Sequence, residues 1–279
     1  MIKKIINTII TCALAVCPSY LSAQEPVTLK ILDWNVLSFE GYNNPNNDFN
    51  IAPYIQTIKE NDPDVVCFNE FETASDRMNK EKLAEVAVEL KMYAYFIESY
   101  PKSGGYYGNC ILSKYPIINT RSQLHAYQHA KGPGNYDHNS GDCYSKYGAD
   151  QRSMGYADIA VPNPSGTDYR IVRIATSHFE AFAPAADQDR IRTEQCEAAC
   201  AFLHLTAPEY PTVFSGDFNT GDTFTTLRSL EDNGSLVHSH YLDYIYVFPK
   251  NSWTVVSRKT VDAGMLSDHD AVFAEIRLN

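Results

Sequence analysis

Close to the C-terminus, Ser267-Asp268-His269 sets a carboxylate beside an imidazole, a pairing that can bind a metal, orient a base or do neither. Four upstream clusters give it meaning: Trp34-Asn35-Val36, Asn69-Glu70, Ser177-His178 and Ser215-Gly216-Asp217-Phe218-Asn219. Each closes an apolar, β-branched run, so strand ends are expected to deliver carboxylates, amides and imidazoles to one place. Glu70 and Asp268 offer carboxylate oxygens, and Asn35 and Asn219 offer neutral amides, with no thiolate among them. Hard oxygen donors of this kind favour Mg²⁺, Mn²⁺ or Ca²⁺ over zinc or copper. Asp217, in a Gly-Asp-x-Asn turn, can accept a proton or hold a second ion, while His178 and His269 can donate to an anion or exchange protons near neutral pH. Together these groups suit metal-assisted attack of water on a phosphodiester, with the imidazoles stabilising the charge that builds up on phosphorus.

The elements that must position these residues read as mixed α and β. Strands are expected over Val27 to Trp34, Asp64 to Phe68, Tyr93 to Ser99, Tyr107 to Ser113, Met154 to Val161, Tyr169 to Thr176, Thr212 to Ser215, Leu242 to Phe248, Trp253 to Ser257 and Ala271 to Leu278. Helices are expected over Asp48 to Glu60, with Ile51, Ile55 and Ile58 on one face, over Ser75 to Leu90, and over Ala185 to Leu205. The Tyr-, His- and Gly-rich stretch from Gln123 to Asp150 lies between two strands and reads as a long surface loop. No internal repeat and no composition step divides the chain, so residues 24–279 are expected to form a single domain.

Residues 1–23 read instead as a secretory signal: Lys3 and Lys4, an apolar run from Ile5 to Val16, and small residues Ser22 and Ala23 before Gln24. The protein is therefore expected to be secreted or periplasmic, with lipid attachment at Cys17 as a minor alternative, disfavoured by the bulky Val16 before it. Beyond the signal stand Cys67, Cys110, Cys143, Cys196 and Cys200, an odd number with no C-x-x-C, which argues against structural zinc and allows at most one or two disulfides. The length of 279 residues, 44% hydrophobic and 20% charged, is that of an ordinary globular protein. The net charge of −11 argues against tight non-specific nucleic-acid binding but leaves room for an enzyme that meets phosphate through a metal.

In order, Trp34-Asn35-Val36, Glu70, Gly108-Asn109-x-Ile111-Leu112-Ser113-Lys114-Tyr115-Pro116, Ser177-His178, Ser215 to Asn219, Leu242-Asp243-Tyr244-Ile245 and Ser267-Asp268-His269 resemble the endonuclease/exonuclease/phosphatase superfamily. The resemblance runs from Leu32 to Ile276. It implies a four-layer α/β sandwich of two packed, mainly antiparallel sheets with helices outside. It also implies Asn35, Glu70 and Asp268 as metal residues for Mg²⁺ (or Mn²⁺ or Ca²⁺). Further, it implies His178 and Asn219 on the phosphate, Asp217 preparing the nucleophile, and His269 as catalytic imidazole oriented by Asp243. Arg192 and Gln195 match a structural feature of the same superfamily. Asn69 stands where Gln is usual and Ala271 where Pro is common, and the interval from Asp217 to Asp243 is short.

Bland readings compete at single positions. Asn35 can end its strand in an Asx turn, and Asp217 can be a turn acid. Glu72 is expected to face solvent or cap the helix near Ser75. His125, His129 and His138 match no metal template and are expected in a flexible polar loop, while His204, His238 and His240 read as solvated or structural. The expected substrate is a phosphate ester: nucleic acid, phospholipid or sugar phosphate. A binding module without catalysis on the same scaffold is the rival from another class. No stable protein partner is expected, and the chain is expected to be a monomer.

Overall fold

The computed structural model describes residues 25–44, 49–78, 81–126, 151–183 and 185–279. The signal-like segment, Cys143, His129, His138 and most of the Tyr-rich loop lie outside the described residues. The first sheet comprises β1 (Val27–Asn35), β2 (Val65–Thr73), β3 (Tyr93–Lys102), β4 (Gly105–Ser113), β11 (Trp253–Val261) and β12 (Ala271–Leu278), in the order β11-β12-β1-β2-β4-β3. The second comprises β5 (Ile117–Leu124), β6 (Ser153–Pro162), β7 (Tyr169–Ser177), β8 (Thr212–Asp217), β9 (Ser235–His240) and β10 (Asp243–Phe248), in the order β5-β6-β7-β8-β10-β9. Among the described residues four α-helices accompany them: α1 (Ala52–Asn61), α2 (Lys82–Leu90), α3 (Ala185–Phe202) and α4 (Arg228–Asn233).

Both sheets are antiparallel except for one pair each. β1 and β2 run parallel, joined through α1, and β7 and β8 run parallel, joined through α3. Parallel neighbours need a crossover, and the crossover helices cover the outer faces. Ile31, Cys67 and Ile111 of the first sheet pack between the sheets with Ile159, Ile174, Val213 and Ile245 of the second. Outside the first sheet, Ile55 and Ile58 of α1 and Val86 of α2 pack on Trp34 and Phe68. Outside the second, Cys196 and Ala199 of α3 and Leu230 of α4 pack on Phe214 and Tyr246. The result is the expected sandwich of two sheets between helices. Each fully buried Ile or Leu here contributes about 1.5–3 kcal/mol, which holds the sheets face to face.

The differences from expectation lie in elements with weak apolar patterning. β5, β9 and α4 have little continuous apolar sequence and escape a pattern reading; Gln123 belongs to β5, not to the loop. The helix expected from Ser75 begins only at Lys82, because Ser75 to Met78 form a turn that is tied down by Glu72. Glu72 itself is a correction: it is fully buried, and neither faces solvent nor caps a helix. Arg77 Nε donates to Glu72 Oε1 at 2.7 Å, Arg77 Nη2 donates to Oε2, and Lys102 Nζ lies 3.3 Å from Oε2. His125 is a second correction, buried and joined through Nε2 to Ser177 Oγ at 3.0 Å. The four described cysteines, Cys67, Cys110, Cys196 and Cys200, are buried free thiols.

Burial disfavours the ionised form of Glu72, but the hydrogen bonds and charges of Arg77 and Lys102 outweigh it and hold the carboxyl below its ordinary value. Glu72→Ala should therefore cost about 2 kcal/mol in urea unfolding at pH 7, below the ~3–5 kcal/mol of a fully buried broken pair because Arg77 is partly exposed. A depressed folded value makes this contribution full above the unfolded value, near pH 4.3, and lost as the pH falls through the folded one. The stability gap between wild type and variant should narrow as the pH falls below the ordinary carboxyl range; a constant gap would show that Glu72 acts by packing alone.

Candidate active site

The two parallel pairs end side by side between the sheets, and their C-terminal ends carry the polar clusters. On β1 and β2, Asn35 lies opposite Asn69 in the ladder. Strand β2 does not stop at Phe68 as expected, and the pair Asn69-Glu70 lies within it at a bulge. The ladder to β4 shifts between Phe68 and Phe71, and Glu70 takes φ 55°. Alternation would send Glu70 to the helix side beside Phe68; the extra residue gives that side to Phe71 and turns Glu70 toward Asn35. On β8, Gly216 is required by contact: a Cβ there would meet the Ser177 carbonyl at 1.9 Å. Any other residue would push β8 from β7 and separate Asp217 from His178.

Across the gap between sheets, Asn35 Nδ2 donates to Glu70 Oε1 at 3.1 Å and to Asp217 Oδ2 at 3.0 Å. Its Oδ1 accepts from Leu37 N–H at 3.1 Å, so the Asx turn and the site role coexist. Asn35 thus faces the carboxylates with nitrogen, not with the oxygen that metal ligation needs. Asn69 Oδ1 accepts the Asp217 N–H at 2.7 Å, and its Nδ2 donates to Asn109 Oδ1 at 2.9 Å. Asp217 Oδ1 in turn accepts the Asn219 N–H at 2.9 Å.

His269 Nδ1 lies 2.7 Å from Asp243 Oδ2, and its Nε2 lies 3.7 Å from Asp217 Oδ2. Burial pulls the imidazole down, but the Asp243 hydrogen bond and the charges of Asp243, Asp217 and Asp268 prevail and raise it to about 10. Burial pushes Asp243 up to about 7 against the pull of His269. The proton they share sits on the imidazole, since three carboxylates surround it. The loop that carries His269 is held to β1: Ser267 Oγ donates to the Asn35 carbonyl at 2.7 Å, and Trp34 Nε1 donates to the His269 carbonyl at 2.9 Å.

His178 is held neutral, its basicity lowered first by burial and then by Arg152 and His269. Two donors flank it, Arg152 Nη1 at 3.0 Å from Nδ1 and Asn219 Nδ2 at 2.8 Å from Nε2. A neutral imidazole has one acceptor nitrogen, so only one of the two can donate to it at a time. Arg152 is the site residue that the sequence reading missed. It is buried, and its charge lowers both Glu70 and Asp217. An Arg at the start of β6, just past the Tyr-rich loop, was the available signal. Arg192 and Gln195 brace the site from behind, as Arg192 Nε donates to the Glu180 carbonyl at 2.7 Å and Gln195 Oε1 accepts the Glu180 N–H at 2.8 Å.

The family model of the endonuclease/exonuclease/phosphatase family matches residues 34–269, the span that holds every one of these groups. The chain belongs to this family. Solved members share its fold at low identity. An endonuclease/exonuclease/phosphatase from Beutenbergia cavernae is 18% identical, with a TM-score of 0.66 over 90% of this chain and 72% of that one. One from Bacteroides vulgatus is 17% identical, with a TM-score of 0.63 over 91% and 100% of the two chains. Zebrafish (D. rerio) TDP2 complexed with single-strand DNA product is 18% identical, with a TM-score of 0.58 over 89% and 98%. Sequence comparison with curated proteins gives no match.

The residues fit a hard divalent cation, on the Glu70 side of the site. Burial raises the carboxyls of Glu70 and Asp217 above their ordinary values, the mark of buried negative charge that a cation would offset. Among the described residues, Asp217, Asp243 and His269 bring ligand atoms within 4.8 Å of one another. That trio is a poorer ion site, because the imidazolium has no lone pair to give. Asp268 is exposed at the rim, beside Ser267 Oγ at 3.5 Å.

Proposed function

We propose that the protein is an exported, divalent-metal-dependent phosphoesterase acting on phosphodiesters. One observation carries this reading: Asp217 lies between a protonated His269 and a neutral His178, in a buried cluster tied to Glu70 through Asn35. A base, a fixed cation and neutral donors around one point are what hydrolysis at phosphorus needs. Glu70 and Asp268 would hold Mg²⁺, Mn²⁺ or Ca²⁺, with Asn35 orienting Glu70 through its amide. Bound there, the ion would polarise the phosphoryl group and offset its charge.

The chain's own groups supply the rest. Asp217 accepts the proton of the attacking water through Oδ2, while its other oxygen is held by the Asn219 N–H. His269 offers Nε2–H to the oxyanion or leaving oxygen, and Asp243 fixes its tautomer through Nδ1. Arg152 and Asn219, the donors that flank His178, are the groups that would donate to a phosphate oxygen. The human Nocturnin catalytic domain, a structural neighbour with 15% identity and a TM-score of 0.62, carries a bound sulfate anion, which supports an oxyanion-binding fold. Export rests on the N-terminal pattern of residues 1–23.

Two measurements test the reading. With Mg²⁺ or Mn²⁺, kcat/KM on bis-p-nitrophenyl phosphate should exceed that on p-nitrophenyl phosphate about tenfold or more, and the reverse order would make the enzyme a monoesterase. By calorimetry, Glu70→Ala should weaken Mn²⁺ binding about 10- to 100-fold, and an unchanged isotherm would remove Glu70 from the ion site.

A further inference from the structure

His269 sits on the connection between β11 and β12, residues 262–270, which contains no helix or strand. Its place therefore depends on what holds that connection. Three of the connection's carbonyls are held from outside it: Met265 by the Tyr42 N–H at 2.8 Å, His269 by Trp34 Nε1, and Leu266 by the Tyr54 hydroxyl. Tyr54 is buried on α1, and its oxygen also accepts the Gly41 N–H at 3.2 Å. One side chain thus joins the connection that carries His269 to the turn that follows β1. That turn is costly. Leu37, Ser38 and Phe39 are successive residues with φ of 45°, 52° and 61°, the left-handed region that a Cβ disfavours. Such a backbone persists only where its surroundings fix it, and this kind of strain gathers at functional sites. Here the Phe39 ring packs edge-on against Tyr54, with centroids 5.0 Å apart, and the Tyr54 ring lies 5.3 Å from that of Trp34.

We infer that Tyr54 is a positioning residue for His269: its hydroxyl, by bridging Gly41 and Leu266, fixes where the imidazole stands relative to Asp217. The bridge uses both hydrogen-bonding capacities of the phenol, one O–H to give and a lone pair to accept. It closes a brace that runs from Asn35 through the left-handed turn, Gly41, Tyr54 and Leu266 to His269. Ser267 Oγ returns the brace to the Asn35 carbonyl. Asn35 Nδ2 reaches Asp217 from the same strand end, so the brace sets the general base and the imidazole against one frame. A misplacement of about 1 Å in a reacting group can cost on the order of 10²-fold in rate. The rate effect rests on the phosphoesterase reading above; the placement of His269 does not.

Tyr54→Phe keeps the ring and removes the bridge. On bis-p-nitrophenyl phosphate at saturating Mn²⁺ it should lower kcat about tenfold with KM held within about twofold. In the His269→Ala background the same change should cost no more than about twofold, because the group it positions is gone. Ile58→Val loosens the same helix without touching the bridge and should leave kcat within about twofold of wild type. Wild-type kcat in Tyr54→Phe, a full tenfold loss in the His269→Ala background, or an equal loss in Ile58→Val would each overturn the inference. Two readouts need no turnover. In the wild type the Gly41 and Tyr42 amides should exchange with solvent at least about 100-fold more slowly than in an unstructured chain, and free exchange would remove the bridge. The proton between His269 and Asp243 should give a downfield imidazole resonance, absent in His269→Ala, that moves in Tyr54→Phe; an unmoved resonance would overturn the positioning role. A moved resonance in a protein that hydrolyses nothing would strike the phosphoesterase reading and uphold the brace, so the two failures are separable.

Discussion

Asp217→Asn should lower kcat about 10³- to 10⁴-fold and leave the melting temperature within a few degrees of wild type. The expectation follows from how the residue is held. Its backbone N–H is fixed by Asn69 and its Oδ1 by the Asn219 N–H, and both contacts survive in the amide. What changes is Oδ2, the oxygen that faces Asn35, His178 and His269. There an amide nitrogen cannot take a proton from water, and it opposes the Asn35 donor. That lost bond costs some stability, while removing a buried carboxylate whose ionisation burial already resists returns some. Retained activity in this variant would mean that another group prepares the nucleophile.

His269→Ala should cut kcat about 10²- to 10⁴-fold and, unlike the Asp217 variant, should also cost about 1–3 kcal/mol of stability at pH 7. The second effect arises because Asp243 would keep a buried carboxyl with neither oxygen satisfied: Oδ1 has no partner among the described residues and Oδ2 would lose the imidazole. The pH dependence separates the two roles. In the folded protein the imidazole is raised to about 10, against an ordinary value of 6.5. A raised folded value gives stability that is full below 6.5 and disappears as the pH climbs through 10. The stability gap between wild type and variant should therefore close above pH 10, and wild-type kcat should fall over the same range. An alkaline limb near pH 7 would place the proton elsewhere.

The positions of these groups were legible because four polar clusters each close an apolar strand pattern, and because Ser267-Asp268-His269 follows them in the same chain. Asn35, Asp217 and His178 stand next to each other in space as their strand ends require. The bulge at Glu70 was not legible, since nothing in Val65 to Thr73 distinguishes an interrupted ladder from a strand that stops at Phe68. Arg152 and His125 were missed for a related reason: both border a polar stretch, and their burial comes from strands distant in sequence. Glu72 shows the same limit. A carboxylate following a metal-side residue reads as solvated until Arg77 and Lys102 are seen to close over it. The edge strands β5 and β9 carry mostly exposed or half-buried side chains and therefore little apolar signal.

The most direct measurement of the central claim is the rate of bis-p-nitrophenyl phosphate hydrolysis by the purified protein in Mg²⁺ or Mn²⁺, before and after chelation, with His269→Ala alongside. Turnover that chelation abolishes, that added metal restores and that the variant lacks is the predicted result. Turnover unaffected by chelation, or equal in the variant, would contradict a metal-dependent phosphoesterase centred on Asp217 and His269.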